Sequence, residues 1–284
     1  MALSLLAVLF YPSVQAFMAS NTLWNGIHDF ADKKQTTNLQ SLKKLPAEAA
    51  NSVMVSIPYT DYSQEDLDRL SNFVAAGNTL VIMDDFGYGN KLLERLGLAV
   101  RFDGKILLDP LFCYKNSYLP RVVEFAPQVQ DQGIQALTLN HATCLDNTVS
   151  GEVLAWSSPT SFVDSNGNGA KDADENYGPF PVAAEYTLGK GSVRLVADPS
   201  LIINSMQGQN DNIKFADYLM RTASPAAATY IDFSHLSQAP LDTSKRTLVD
   251  IRVLLGNPYV TIGLIAVIFA LTAVYILKKG EIFG

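Results

Sequence analysis

The chain has 284 residues, of which 48% are hydrophobic and 17% are charged, and its formal net charge is −7. This size and composition can bury the core of one large domain or two small ones, which excludes a disordered chain. Lys and Arg form no run before the extreme C-terminus, so the acidic chain lacks the charge pattern of a nucleic-acid-binding protein.

The N-terminal segment, residues 1–20, is largely apolar but contains Pro12 and Gln15. Small residues such as Ala16 and Ala19 lie where a signal peptide could be cleaved, yet no Lys or Arg precedes the hydrophobic run. We therefore expect either a retained membrane anchor or a signal-like segment.

The first regular elements after this segment form a βαβ unit. Residues 52–58 are a continuous apolar run, and a helix follows with Ser63 as its N-cap and Gly77 just past its end. Residues 79–84 form a second buried strand, and a second helix ends at Gly97. Two buried strands joined by an amphipathic helix predict an α/β fold whose parallel sheet is covered on both faces.

Short strands dominate the next part of the chain. The runs KILLD, RVVEFA, ALTLNHATCL and EVLAWSS are separated by polar turns and predict a mixed or antiparallel portion. Residues 182–187 and 192–197 flank a Gly-Lys-Gly turn and predict an added β-hairpin. Residues 211–223 then predict an amphipathic helix, and ATYIDFSH a last strand. We expect the main domain to cover residues 21–235.

The C-terminal region predicts a juxtamembrane linker (236–257), a transmembrane helix (258–279) and a short tail (280–284). The predicted helix carries no charged residue before Lys278 and Lys279. At a rise of about 1.5 Å per residue, it is long enough to cover nearly all of a hydrocarbon core of roughly 30 Å. A buried helix of a soluble domain is the alternative. The two lysines place the C-terminus in the cytoplasm and the main domain outside it, in a protein of the cell membrane whose first partner is the lipid bilayer.

Cys113 and Cys144 are the two cysteines of the chain. In an extracytoplasmic domain such a pair predicts either a disulfide that closes a loop of about thirty residues or two unpaired thiols. The spacing does not decide between them, because it does not place the two Cα atoms within bridging distance.

Two stretches carry a family resemblance: LSNFVAAGNTLVIMDDFGYGNKLLERLGL and the later GKGSVRLVADPSLIINSMQGQNDNIKFADYLM. Together they resemble an uncharacterised family of membrane-anchored proteins that is often encoded near MoxR-type ATPases. Its extracytoplasmic domain is similar to the class I glutamine amidotransferase fold, and a related domain occurs in GldG-like auxiliary subunits of ABC transporters. The resemblance implies a flavodoxin-like or amidotransferase-like, mostly parallel sheet with helices on both faces.

Enzymes of the amidotransferase fold carry a nucleophilic Cys on a sharp strand-to-helix turn. The corresponding turn here, Asp84 to Asn90, reads DDFGYGN and contains no Cys, which predicts a non-catalytic domain. Asp84, Asp85 and Asn90 lie where open α/β sheets bind ligands. The alternative is that the glycines allow a tight turn while the acids cap the next helix.

The stretch VDSNGNGAKDADENYGPFP contains a calcium-type loop, residues 164–175. Its residues match the pattern D-x-[DN]-x-[DN]-G-x₅-E. The expected Ca²⁺ ligands are Asp164, Asn166, Asn168, the carbonyl of Ala170, Asp172 and Glu175. Pro and Gly on both sides predict a stand-alone loop between strands, and a solvated Asn/Gly loop is the alternative.

These features favour a non-catalytic, membrane-anchored extracytoplasmic domain, stabilised by Ca²⁺, that serves as a subunit or scaffold of a membrane protein complex or as a homo-oligomer. An ABC-transporter auxiliary subunit that binds a solute or glycan at the Asp84 to Asn90 turn is one alternative. A cryptic hydrolase is another, although His28, His141 and His235 show no metal-ligand spacing and no GxSxG elbow is present.

Overall fold

The computed structural model describes residues 13–46, 49–222, 227–237, 240, 243–244, 247–248, 254 and 256–283, with the backbone alone at residues 261, 264, 273–274 and 277–283. The strands are β1 (Thr37–Leu39), β2 (Val53–Ser56), β3 (Thr79–Met83), β4 (Arg101–Phe102), β5 (Ile106–Leu108), β6 (Arg121–Val122), β7 (Glu124–Phe125), β8 (Leu137–Thr138), β9 (Leu145–Asp146), β10 (Glu152–Trp156), β11 (Phe162–Asp164), β12 (Pro181–Leu188), β13 (Gly191–Val196) and β14 (Thr229–Asp232). The α-helices are α1 (His28–Lys34), α2 (Gln64–Ala75), α3 (Asn90–Arg95), α4 (Pro127–Gln130), α5 (Asn212–Leu219) and α6 (Pro258–Phe283), and short 3₁₀ turns cover Leu42–Lys44 and Pro199–Ile202.

An eight-stranded sheet has the order β1-β14-β2-β3-β13-β12-β10-β7. Strands β1, β14, β2, β3 and β13 run parallel to one another. Strands β12, β10 and β7 extend the sheet in antiparallel pairing, and three small ladders join β5 to β11, β4 to β9 and β6 to β8. The predicted α/β fold, with a mostly parallel mixed sheet and an added hairpin portion, is confirmed.

Two apolar layers cover the two faces of the sheet. Successive side chains of a strand point to opposite faces, so the all-apolar strands β2 and β3 supply both layers. One layer packs helices α1 and α5 on the sheet through Ile27, Phe30, Phe215, Ala216 and Leu219. The other packs helices α2 and α3 through Leu67, Leu70, Phe73, Val74, Leu92 and Leu93. The prediction of helices on both faces is confirmed.

Helix α2 begins and ends as its sequence predicts. The Ser63 hydroxyl accepts a hydrogen bond from the Asp66 N–H at 3.2 Å and donates one to the Asp66 carboxylate at 2.5 Å. Gly77 follows the helix with a φ of +97°, a left-handed conformation that glycine adopts without strain. These two ends orient the helix so that its apolar side lies on β2 and β3.

The N-terminal boundary predicted at residue 20 is wrong for the part that the structure describes. The Phe17 side chain lies in the core with 6% exposure, and its ring centroid is 5.5 Å from that of Tyr59. The Phe17 N–H donates to the Asn25 carbonyl at 2.9 Å. Residues 13–20 therefore belong to the compact unit Pro12–Ser237, because burial of Phe17 holds them on the domain. Residues 1–12 of the predicted anchor lie outside the described residues.

Helix α6 covers the segment predicted to span a membrane, and it belongs to a unit separate from the domain. Within the described residues, none of the helices is both long and apolar enough to cross a membrane, so the predicted span is not confirmed. Most of the predicted linker, residues 236–257, and the side chains of Lys278 and Lys279 lie outside the described part of the chain.

The two cysteines form no disulfide. Cys113 is half-buried and Cys144 is buried, and both thiols are free. The backbone of Cys113 bridges to Pro120, whereas Cys144 directly precedes β9, whose partner is β4. The two residues are thus held by different strand pairs, and the alternative of two unpaired thiols is the one that the structure supports.

Candidate functional site

Asp84 fastens the turn between β3 and α3. Its carboxylate accepts hydrogen bonds from the N–H groups of Phe86 at 2.8 Å, Gly87 at 3.0 Å and Gly89 at 2.6 Å. Burial raises the pKa of Asp84, and these three donors oppose the rise. The side chain is only 1% exposed, and its hydrogen bonds hold the turn itself. Asp84 therefore shapes the site and does not face a ligand.

Asn90 is also occupied within the protein. Its Nδ2 donates to the Phe102 carbonyl at 2.9 Å, and its Oδ1 accepts from the Phe102 N–H at 2.8 Å. This two-way contact ties the start of α3 to β4. Of the three ligand-binding candidates at this turn, both Asp84 and Asn90 thus have structural partners.

Asp85 differs from these two neighbours. Its Oδ1 is buried and has no hydrogen-bond partner among the described residues. Burial, followed by the charges of Asp198 and Asp84, raises the pKa of Asp85 to about 7. A buried carboxylate oxygen without a donor costs free energy, and such groups concentrate at functional sites. Asp85 is the candidate at this turn that remains available to a ligand.

A second carboxyl group, that of Asp198, lies just past β13 at the same edge of the sheet. Strand β13 lies parallel to β3, with Val196 opposite Met83, so Asp198 and Asp84 follow neighbouring strands. Asp198 is fully buried, and it accepts from the N–H groups of Asn140 and Ser200, each at 2.7 Å. Burial raises its pKa to about 7. Its charge lies close enough to raise the pKa of Asp85 as well.

Aromatic rings frame these carboxyls. Phe86 and Tyr88 are 58% and 40% exposed, and their ring centroids are 6.5 Å apart. The Tyr59 ring, which follows β2, lies 5.5 Å from that of Phe86. Burial, and then the charge of Asp85, raise the pKa of Tyr59. We call Tyr59, Asp85, Phe86 and Tyr88 the edge surface, because all four follow parallel strands at their carboxyl ends.

The edge surface has no basic neighbour in close contact. Among the described residues, none of the ion pairs involves Asp84, Asp85 or Asp198. The sequence interpretation included Asp85 but missed Tyr59, Phe86 and Tyr88 as surface residues. Two features of the sequence could have identified them. Phe86 and Tyr88 stand beside glycines in a short strand-to-helix turn, and Tyr59 comes just past the adjacent strand.

His235 is buried, and its contacts differ from those of a catalytic histidine. Its Nδ1 is 2.6 Å from Asp232 Oδ2, as the histidine of a catalytic triad would be. Its Nε2, however, faces the Asp66 carboxylate at 3.7 Å, where a triad needs a serine or cysteine. His28 contacts the Ala19 carbonyl and His141 contacts Asn140. Ser234 Oγ lies 3.2 Å from the same His235 Nδ1, so the serine and the acid contact one nitrogen of the ring, whereas a triad places them on opposite nitrogens.

The predicted calcium loop is folded around the Asp164 carboxylate. This group is 3% exposed and accepts from the N–H groups of Gly167, Asn168 and Gly169 at 2.7 to 3.1 Å. The amides of Asn166 and Asn168 both donate to Asp172 Oδ2 at 2.7 Å. The loop follows β11 and precedes β12, so it lies between strands as expected.

The last predicted ligand closes the loop on itself. The Glu175 carboxylate accepts from the N–H of Ser165 at 2.7 Å and from that of Asp172 at 3.1 Å. The Ser165 N–H is the first cause of a lowered pKa at Glu175. These hydrogen bonds all lie within the loop. Because a carboxylate offers about four lone pairs, the oxygens of Asp164, Asp172 and Glu175 retain capacity for a cation.

A different set of residues brings potential metal-binding atoms together. Among the described residues, Asp103, Cys144 and Asp146 place their ligand atoms within 4.8 Å of one another. Burial raises the pKa of the Cys144 thiol, and the charges of Asp103 and Asp146 add to the effect. The two acids are exposed, and Asp103 also accepts a hydrogen bond from the Lys105 N–H at 2.9 Å.

Comparison with known proteins gives a family. Residues 19–220 match the family described as "Domain of unknown function (DUF4350)". The chain belongs to this family. Comparison of this DUF4350 chain with curated protein sequences gives no match.

Solved structures show the fold of the DUF4350 domain. It is similar to the "mmIFT52 N-terminal domain" with a TM-score of 0.51 and 12% identity, over 70% of this chain and 92% of that one. A β-galactosidase from Bacillus circulans sp. alkalophilus has a TM-score of 0.35 and 14% identity, over 58% of this chain and 23% of that one. Gan42B, a GH42 β-galactosidase, has a TM-score of 0.36 and 16% identity, over 61% and 22%. The first likeness shows an α/β fold and no activity.

Proposed function

We propose that the DUF4350 domain is a non-catalytic binding domain, a subunit or scaffold of a protein complex, that holds a protein partner at the edge surface. The observation that carries the proposal is the exposure of Phe86 and Tyr88 on a turn that Asp84 holds in place. Exposed aromatic side chains on a fixed backbone are typical anchors of protein interfaces, because they bury much area at a small entropic cost.

The composition of the turn supports a binding role over catalysis. In an amidotransferase the residue on this turn attacks the substrate, whereas here Asp84 is occupied by three backbone N–H groups. The nearest thiol by sequence, Cys113, lies beyond helix α3. A partner-binding surface uses what the turn does present, which is two exposed aromatic rings beside the half-buried Asp85.

Purification of the tagged full-length protein from its native cells tests the proposal. The double variant Phe86→Ala, Tyr88→Ser is compared with Val149→Ala, a control because Val149 is 69% exposed in the loop that joins β9 to β10. We expect the double variant to lose a partner that the unmodified protein and the control both retain. A partner that is retained equally by all three proteins contradicts the proposal.

A solute or glycan is the second candidate ligand for the same edge. Aromatic faces beside a carboxylate suit a sugar ring, whose C–H groups stack on the aromatic ring while its hydroxyls donate to the carboxylate. Thermal-shift measurements with a panel of sugars separate the candidates. A sugar-dependent stabilisation that Asp85→Ala abolishes favours the solute-binding role, as an auxiliary subunit of a transporter.

We also propose that the loop 164–175 binds Ca²⁺ as a structural ion. Its donor set is made of carboxylate and amide oxygens, with a backbone carbonyl at Ala170, and Ca²⁺ takes six to eight such oxygens. The order of these residues along the sequence supports the assignment, and their hydrogen bonds lie within the loop. A bound ion would replace contacts within the loop that are now made between the side chains themselves.

Membrane attachment and an extracytoplasmic location stay predictions from the sequence. They rest on the charge-free residues 259–277, on Lys278 and Lys279, and on a calcium loop of a kind that suits compartments rich in the ion. Carbonate extraction of cell membranes tests attachment, with a chain that ends at residue 257 as its control. Recovery of both chains in the soluble fraction contradicts attachment.

A further inference from the structure

Among the described residues, three carboxyl groups at or beside the edge surface have no basic partner. Asp84, Asp85 and Asp198 lie close enough that the charges of Asp84 and Asp198 raise the pKa of Asp85. Within the described residues no Lys or Arg pairs with any of the three. Elsewhere on the domain, several carboxylates do have such partners, for example Glu185 with Arg194 at 2.8 Å. The edge therefore attracts a positive group supplied from outside.

The rings beside these acids suit an organic cation. A guanidinium or ammonium group is attracted to the face of an aromatic ring within about 6 Å of its centre. Phe86 and Tyr88 are exposed, and Tyr59 completes a row of rings next to Asp85. A cation placed here meets a carboxylate oxygen and aromatic faces together.

A metal ion fits the same place less well. Hard cations need about six oxygen ligands. Among the described residues, Asp84, Asp85 and Asp198 are not a set of acids whose ligand atoms lie within 4.8 Å of one another. Carboxyl groups at this edge also disfavour an anionic ligand.

We propose that the edge surface recognises the side chain of an arginine or lysine on the partner polypeptide, with Asp85 pairing the cation and Phe86 and Tyr88 covering it. This inference rests on the proposed function and adds the chemical class of the group that is bound. Arginine suits the site better than lysine, because its planar guanidinium stacks on a ring while it donates to a carboxylate.

Binding of small probes to the full-length protein tests the inference. N-acetyl-L-argininamide is compared with N-acetyl-L-citrullinamide, which has nearly the same shape and no charge, by saturation-transfer NMR titration. We expect the arginine probe to bind about tenfold more tightly, because a charge-assisted hydrogen bond is roughly twice as strong as a neutral one. Asp85→Asn and Phe86→Ala should each remove most of that difference, whereas Asp131→Asn, which alters an exposed acid elsewhere, should retain it.

The pH dependence provides an independent readout. A carboxyl that is protonated below about pH 7 pairs poorly with a cation, so binding of the arginine probe should strengthen between pH 6 and 8 in the unmodified protein. The increase should be smaller in Asp85→Asn, where the nearby Asp198, whose pKa burial also raises to about 7, still titrates.

Three results would each overturn the inference. The first is equal binding of the two probes, and the second is a loss of binding in Asp131→Asn as large as that in Asp85→Asn. The third is tight binding of spermidine, a free polyamine, that persists in Phe86→Ala. None of these results bears on partner retention by the Phe86→Ala, Tyr88→Ser variant, which decides the proposed function separately. Circular dichroism of each variant confirms that it is folded.

Discussion

Replacing Asp85 by Asn should stabilise the domain at pH 8 and change its stability little at pH 4. Burial and the charges of Asp198 and Asp84 raise the pKa of this carboxyl from 3.8 to about 7 in the folded protein. The unfolded chain ionises near the ordinary value, so the folded state binds more protons than the unfolded state between about pH 4 and 7. The folded protein consequently loses stability as the pH rises through this window.

The size of the effect follows from the pKa difference. Each pKa unit corresponds to about 1.4 kcal/mol, so the rise from 3.8 to about 7 sets an upper bound of about 4 kcal/mol on the cost of ionised Asp85 at pH 8. Part of this cost is shared with the neighbouring acids, and we expect Asp85→Asn to recover about 2–3 kcal/mol of unfolding free energy at pH 8. Near pH 4 the gain should fall below about 1 kcal/mol.

Urea unfolding of the full chain, followed by tryptophan fluorescence at pH 4 and 8, measures both values. Asp84→Asn is the matched control, since it makes the same change one residue earlier. An amide nitrogen cannot accept a hydrogen bond, so at least one buried N–H of the turn loses its acceptor, and stability should fall by about 1–3 kcal/mol at pH 8. A loss of stability in Asp85→Asn at pH 8, or an equal change at both pH values, refutes the reasoning.

Three further predictions concern other parts of the domain. Millimolar Ca²⁺ should raise the melting temperature, and Asp164→Ala should abolish the rise, so an unmodified protein that is unaffected by Ca²⁺ refutes the loop assignment. Gly89→Ala should lower the unfolding free energy by about 1–3 kcal/mol, because the added Cβ would lie 3.1 Å from both the Asp84 carboxylate and the Ile82 side chain; an unchanged urea midpoint contradicts this. Thiol titration of the unfolded chain without reductant should find both Cys113 and Cys144 reactive, and detection of neither would show a disulfide.

The architecture of the parallel half could be predicted because its signals are local. The all-apolar strands β2 and β3, together with the capped helix between them, specify a βαβ unit in one continuous stretch of about thirty residues. The hairpin of β12 and β13 was equally clear from its turn. The position of β14 between β1 and β2 could not be predicted, because it depends on pairing between strands that are far apart in sequence.

The candidate site was only partly predictable for the same reason. DDFGYGN indicated the correct turn, but the turn alone does not show which acid is satisfied by backbone N–H groups and which is left unpaired. That difference between Asp84 and Asp85 depends on the three-dimensional course of the turn. Tyr59 and Asp198 join the site through the register of neighbouring parallel strands, which sequence spacing does not reveal.

The most direct test of the binding role is site-specific photo-crosslinking in the intact protein in its native cells. A photoreactive phenylalanine analogue is placed at Tyr88 and, in a separate chain, at Val149, which is exposed in the loop that joins β9 to β10. The proposed function predicts a discrete crosslinked partner from Tyr88 that is absent from Val149. The same adducts from both positions, or none from Tyr88, would contradict the claim that the edge surface holds a partner.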